Sequence, residues 1–202
     1  EDREQVVLGV DVGRFGTDPS VIYPRCGNDA RSRRIEVHQG LNSTQLCEHI
    51  ARVWREHDAS TIFVDEGGVG AAVVDRLGIL GLPVVPVQFG ARADLSNASQ
   101  PLFKYANKRA EIWGAVRDAL PRLAIPTEVQ GISLIDELTA PTYDYQIKTE
   151  ALKLEAKREI HRRLGFSPNV ADALALTYAY PSVSEVGLAS STPPETDYDP
   201  FS

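Results

Sequence analysis

Methionine is absent from all 202 residues, position 1 included. An intact translation product normally begins with it, so the expectation is a piece of a longer protein. Only two cysteines occur, Cys26 and Cys47. Neither sits in a CxxC or beside a His pair, which argues against a zinc site and a disulfide framework and points to reduced thiols. No apolar run approaches the roughly eighteen residues of a membrane span, and no charged-then-apolar leader opens the chain, so neither a membrane helix nor a secretion signal is expected. A soluble intracellular protein is the resulting expectation. No GxxxxGK[ST] stretch is present, so a phosphate-loop motor is absent from these residues.

What is present suits one globular unit: 43% of the residues are hydrophobic and 24% charged, enough to bury a core at this length. The net charge of −7 speaks at first against a polyanionic partner. The distribution of charge modifies that. Past Pro181 the chain is rich in Ser, Thr, Pro and acid, so residues 1–181 read as the domain and 182–202 as an extended tail. The tail holds four acidic residues and no basic one, leaving 21 basic against 24 acidic side chains in the domain. Lys148 to Arg163 contains six basic and three acidic residues. That segment is either a rim facing DNA or an ordinary solvated helix face laced with Glu–Lys pairs.

The run Val6-Val7-Leu8-Gly9-Val10-Asp11-Val12 is β-branched, short and closed by Gly13, so it predicts a buried strand with a carboxylate near its end. Ser20 to Arg25 and Arg34 to Gln39 alternate apolar and polar residues around the polar turn at Gly27-Asn28-Asp29, predicting a hairpin that continues from it. Asn42 or Ser43 can cap a helix whose Leu46, Ile50, Val53 and Trp54 form an apolar stripe. Thr61 to Asp65 is a second apolar strand ending in an acid. Gly67-Gly68-Val69-Gly70 then turns into a helix carrying Val73, Val74, Leu77 and Leu80, and Val84 to Val87 is the next strand. Strand, helix, strand implies parallel pairing by a right-handed crossover, so the sheet is mixed. A helix from about Tyr105 to Leu120 follows, with Ile112, Trp113, Val116 and Leu120 inward. Tyr143 to Leu154 suggests a protruding hairpin. In the last helix Ser167 suits the N-cap and Pro168 the first turn, with Asp172 close behind.

Two strand ends and one late helix therefore each carry an acid: Asp11, Asp65 and Asp172. Three carboxylates so placed suit hard cations such as Mg²⁺ or Mn²⁺, and two such ions about 3.5–4 Å apart can activate water and stabilise a leaving oxygen in phosphodiester hydrolysis. Asp11 could bridge the pair, with Glu66 a substitute for Asp65 or a nearby base. Each acid also has a plainer reading. Asp11 before Gly13 and Asp65 before Gly67 could cap turns, and Asp172 could complement the positive end of its helix. Asp11 and Asp65, however, end strongly apolar strands, where a buried charge is costly unless paired or metal-bound. Asp18 and Asp75, in a turn and on a helix, read as structural, and His38, His49, His57 and His161 as structural or solvated.

Five segments in order carry a resemblance: GVDVGRFGTDPSVI at Gly9 to Ile22, VDEGGVGAAVVDRL at Val64 to Leu77, NKRAEIW at Asn107 to Trp113, ELTAPTYDY at Glu137 to Tyr145, and LKLEAKREIHRRLGFSPNVADALALTYA at Leu152 to Ala179. Together they resemble the nuclease domain of the large terminase subunit of tailed double-stranded DNA phages. The resemblance implies an α/β, RNase H-like fold, with a mixed five-stranded sheet flanked by helices and an extra β-hairpin before the last helices. It implies a metal-dependent endonuclease that cuts concatemeric viral DNA during packaging, with Asp11 as the first-strand ligand, Asp65 as the second acid and Asp172 as the late-helix acid of a two-ion Mg²⁺ or Mn²⁺ site. Asn169 stands where relatives often carry an acidic or metal-proximal residue. The implied partners are double-stranded DNA, an N-terminal ATPase motor domain absent from these residues, the portal protein and the small terminase subunit. The implied setting is the host cell cytoplasm, transiently docked on the procapsid. Arg14, Lys104, Lys108, Arg109, Lys153 and Lys157 are candidate phosphate contacts, because cutting with little sequence preference needs backbone recognition. Three other classes share part of the pattern: an actin-like nucleotide-binding domain, a junction resolvase, and a non-catalytic DNA-binding or assembly module.

Overall fold

The computed structural model describes residues 4–13, 18–94, 104–147 and 150–180. Its centre is a five-stranded sheet in the order β3-β2-β1-β4-β5. Strands β1 (Val6–Asp11), β2 (Ser20–Cys26) and β3 (Glu36–His38) are antiparallel neighbours, as the alternating pattern predicts. Strands β4 (Thr61–Asp65) and β5 (Val84–Val87) add in parallel on the other side of β1. The crossover between them is helix α2 (Gly70–Ile79).

Both faces of β1 are covered, which explains why its sequence is almost unbroken apolar rather than alternating. Val6, Leu8 and Val10 pack with Ile62 and Val64 under α1 (Ser43–His57) and α2. Helix α1 starts where it does because Asn42 and Gln45 form a reciprocal capping box, satisfying two otherwise orphaned backbone donors. Val7, Val21, Tyr23 and Phe63 pack on the opposite face with α3 (Lys108–Ala119), α4 (Leu134–Thr139) and α6 (Asn169–Leu176). Helix α6 is buried along its whole length, because sheet, α3 and α4 all contact it.

Outside the main sheet, β9 (Tyr143–Gln146) and β10 (Ala151–Leu154) form the expected hairpin, and β6 (Lys104–Tyr105) joins β10 in parallel. A two-stranded ribbon, β7 (Glu128–Val129) with β8 (Ile132–Ser133), precedes α4. The ribbon, α4 and α5 (Lys157–Leu164) are elements that sequence periodicity does not reveal. Three expectations are corrected. Helix α3 begins at Lys108, where Asn107 accepts the Ala110 N–H, because Tyr105 belongs to β6. Leu80 and Leu120 are exposed, each lying just past its helix rather than on the inner stripe. Pro168, not Ser167, occupies the N-cap of α6, and no side chain caps it. The proposed tail, residues 182–202, lies outside the described residues.

Candidate metal centre

In the parallel pairing of β1 with β4, Val10 stands opposite Val64, so the next residues, Asp11 and Asp65, end neighbouring strands at the same level. Side chains alternate along a strand, and Val7, Gly9 and Asp11 therefore share the face that α6 covers. Gly9 is the reason α6 lies so close: a Cβ there would come within 2.0 Å of the Ala173 carbonyl oxygen. Bringing the helix backbone onto β1 at Gly9 delivers Asp172, one residue earlier in α6, to the end of the strand where Asp11 sits. At β4 a second glycine does similar work. A Cβ on Gly70 would fall 1.8 Å from the Asp65 carbonyl oxygen, so the turn into α2 closes tightly behind that acid.

Asp11 and Asp172 are almost wholly buried, at 1% and 0% exposure. One ammonium joins them: Lys157 Nζ, on the first turn of α5, lies 2.9 Å from Asp11 Oδ2 and 3.5 Å from Asp172 Oδ2. Asp172 has further donors. Arg109 Nε donates to its Oδ1 at 3.0 Å and Trp113 Nε1 donates to the same oxygen at 2.8 Å. The consequences for charge differ. Burial dominates at Asp11 and, with the neighbouring Asp172 and Asp65 charges, pushes its carboxyl up to about 7 despite Lys157. Burial also acts on Asp172, but the Arg109 guanidinium, Lys157 and the Trp113 bond outweigh it and hold that carboxyl below its ordinary value. Asp65 is raised, again by burial, which prevails over the bond from the Gly67 N–H to its Oδ1 at 3.1 Å. At Lys157 the two carboxylates overcome desolvation and raise the ammonium.

Two more oxygen-bearing side chains are buried on α6 and α4, the helices beside this cluster. Asn169, one turn before Asp172, is buried, and its Oδ1 has no hydrogen-bond partner among the described residues. Such orphaned acceptors are rare inside proteins and call for an explanation. Glu137 on α4 is also buried and accepts the Ala171 N–H at 2.8 Å. Burial, reinforced by the Asp172 and Asp11 charges, pushes Glu137 up to about 7 against the pull of the α6 backbone donors. Nothing in the local pattern marks Glu137, since it lies in a six-residue helix; its only sequence signal is its place in the fourth resembling segment. Glu66 turns to β5's exit, where Gln88 Nε2 donates to its Oε2 at 2.9 Å.

The candidate phosphate contacts separate into different environments. Lys108 and Arg109 are inside, at 2% and 7% exposure. Lys108 pairs with Glu111 at 2.8 Å and lies over the Tyr180 ring, while Arg109 serves Asp172 and donates to the Glu155 carbonyl. These two are corrected from surface contacts to internal counter-charges, because the acids they neutralise are themselves buried. Lys157 stands in the acid cluster rather than on an outer rim. Lys104 and Lys153 are exposed, Lys104 alongside Glu150 at 3.4 Å. Arg14 lies outside the described residues.

A hard divalent cation fits this donor set. The ligating atoms at hand are oxygens only, two carboxyls are raised chiefly by burial with neighbouring negative charge adding to it, and an amide oxygen has no partner among the described residues. These are the ligand types Mg²⁺ and Mn²⁺ take.

The sheet order, the flanking helices and the hairpin before the last helices define an RNase H-like fold. Among solved structures, the chain is similar to the nuclease domain of the large terminase subunit gp2 of bacterial virus Sf6, with a TM-score of 0.73 and 20% identity over 90% of this chain and 91% of that one. A mutant of that domain with manganese and beta-thujaplicinol matches with the same TM-score. The large terminase nuclease from thermophilic phage G20c with bound magnesium matches with a TM-score of 0.59 and 16% identity over 89% and 82% of the two chains. No protein-family model and no curated protein matches the sequence. The chain thus has the fold of the large terminase nuclease domains.

Proposed function

We propose that this chain is the nuclease domain of a phage large terminase subunit, a divalent-metal-dependent endodeoxyribonuclease that cuts concatemeric double-stranded DNA during genome packaging with little sequence preference. The observation that carries this reading is the meeting of Asp11 and Asp172 on one ammonium at the end of the β1–β4 pair, with Asp65 beside them. The likeness of fold to nuclease domains solved with manganese and magnesium supports it.

Asp11, Asp65 and Asp172 would hold two Mg²⁺ or Mn²⁺ ions, with Asn169 Oδ1 as a further oxygen donor. Bound there, the ions would supply Lewis acidity toward water and the scissile phosphate. The protein's own contribution is preorganisation. Arg109 and Trp113 pin Oδ1 of Asp172, fixing the carboxylate before any ligand arrives. Asp11 shares the Lys157 ammonium with Asp172 and ends the strand beside the one that Asp65 ends, so it would contribute its carboxylate to the same ion site. The Lys157 side chain is 32% exposed, so with the carboxylates held by cations its ammonium would be available to a phosphate. Exposed Lys153 on the hairpin and Lys104 on the neighbouring β6 would add phosphate contacts. Residues 1–181 would form the nuclease domain and 182–202 an acidic tail. In the host cytoplasm the domain would follow an ATPase motor, meet the small terminase subunit and dock through the portal on the procapsid.

The test is incubation with supercoiled plasmid in Mn²⁺, Mg²⁺ or EDTA, alongside Asp11→Asn, Asp65→Asn and Asp172→Asn. Nicking and linearisation with metal, none in EDTA and strongly reduced cutting in the three variants is the expected result. Cleavage that survives all three substitutions overturns the assignment, and preferential cutting of a four-way junction over the plasmid moves it to a resolvase.

A further inference from the structure

Three side chains on the opposite face of the same sheet converge as well. Glu36 and His38 alternate on β3, the free edge of the sheet, and His49 comes from α1. Their ligand atoms all lie within 4.8 Å of one another. His38 Nε2 is 2.9 Å and His49 Nδ1 3.9 Å from Glu36 Oε2, with the two rings 4.2 Å apart. Ligands on a tetrahedral zinc ion with bonds of about 2.0–2.1 Å are about 3.3 Å from each other, a separation these two distances bracket. We propose that Glu36, His38 and His49 form a second metal site, for a borderline divalent cation such as Zn²⁺ or Co²⁺, which clips edge strand β3 to helix α1.

A cation already marks the place. Arg52 Nη2 lies 2.8 and 2.7 Å from the two Glu36 oxygens and 3.2 Å from His49 Nδ1. A guanidinium only donates, so the lone pair of His49 Nδ1 faces the same point as the Glu36 carboxylate. Arg52 can withdraw: its side chain is 41% exposed, and Nη1 already reaches both oxygens of Glu56 at 3.1 Å. His38 Nε2 donates to Glu36 Oε2, so metal binding at that nitrogen requires the tautomer protonated at Nδ1.

This centre and the acid cluster differ in place and chemistry. Glu36 pairs across β2 with Ile22, which stands opposite Val10 under α1 and α2, whereas Asp11 pairs with Val21 on the α6 face. The acid cluster offers oxygen alone and suits hard ions. Two imidazoles with one carboxylate suit zinc and cobalt.

The experiment is a Co²⁺ and Zn²⁺ titration of the 202-residue chain with Mg²⁺ in excess to fill the oxygen-donor site, followed by visible absorption and calorimetry. One equivalent with the intense ligand-field bands of imidazole-bound cobalt is expected, weakened at least about tenfold in His38→Ala and in His49→Ala. Arg52→Ala should bind more tightly than the parent, a gain that misfolding cannot produce. Unchanged binding in both histidine variants, absence of the bands in the parent, or looser binding in Arg52→Ala overturns the proposal.

Discussion

The two faces of the central sheet use the same strands to opposite ends. Under α1 and α2, Val6, Leu8, Val10, Ile62 and Val64 meet Leu46, Ile50, Val73 and Leu77 in an apolar layer that gives way to Glu36 and its partners only at edge strand β3. Under α3 and α6 the apolar layer of Val7, Phe63, Ile112 and Leu174 stops short. At its edge Asp11, Asp172, Arg109, Glu137 and Asn169 are buried instead. Burying such groups is costly unless each is paired, so the first face supplies stability and the second holds a site at stability's expense. The comparison teaches that an acid's burial, read alone, does not mark function; what marks it is burial that leaves charge and acceptors incompletely matched.

The contrast can be broken most sharply by Asp11→Asn. It should lower cleavage on the order of 10³-fold, the scale of losing one preorganised electrostatic group, while thermal melting of the metal-free protein stays level or rises because a buried charge is gone. A large fall in melting temperature would place Asp11 in the structural class. Arg109→Ala should do the reverse and cost about 3–5 kcal/mol in denaturant unfolding, because it strands the Asp172 carboxylate. Wild-type stability with only a shallower salt dependence of DNA binding would return Arg109 to the DNA surface. On the apolar face, Leu8→Ala should cost about 2–5 kcal/mol and leave cleavage per folded molecule unchanged when both are measured below the unfolding transition.

Smaller effects sharpen the boundary between the faces. Gly9→Ala drives a methyl group into the Ala173 carbonyl, so α6 must shift; a loss of about 1–3 kcal/mol is expected, accompanied by a disproportionate drop in cleavage as Asp172 leaves Asp11. If stability falls with activity intact, the close approach is packing alone. Trp113→Phe keeps the ring and removes the bond to Asp172. Measured over a Mn²⁺ titration, it should raise the metal requirement about 10–100-fold, the range seen when a group orienting a ligand is lost.

Much of this arrangement was legible in the residues. The β-branched runs predict β1, β4 and β5, a cap at Asn42 or Ser43 marks the start of α1, and the strand-end positions of Asp11 and Asp65 already place them side by side once β1 and β4 are parallel. Asp172 depended on the resemblance, since its helix alone reads as ordinary capping electrostatics. Lys108 and Arg109 were misplaced for a definite reason: a basic pair opening a helix looks solvated unless one knows which buried acids face it. Those acids differ in reach. Glu111 lies three residues from Lys108, whereas Asp172 lies 63 residues from Arg109.

Local sequence thus determined the strands of the main sheet, their terminal acids and the mixed pairing, because hydrophobic period and caps act over a few neighbouring residues. Tertiary structure alone decided that Lys157 sits between Asp11 and Asp172, that Glu137 holds the start of α6, and that His38 and His49 meet over Glu36. Each of those contacts joins separate elements. Their existence depends on how closely helices seat on the sheet, a distance set at points such as Gly9 and by packing that no local period encodes.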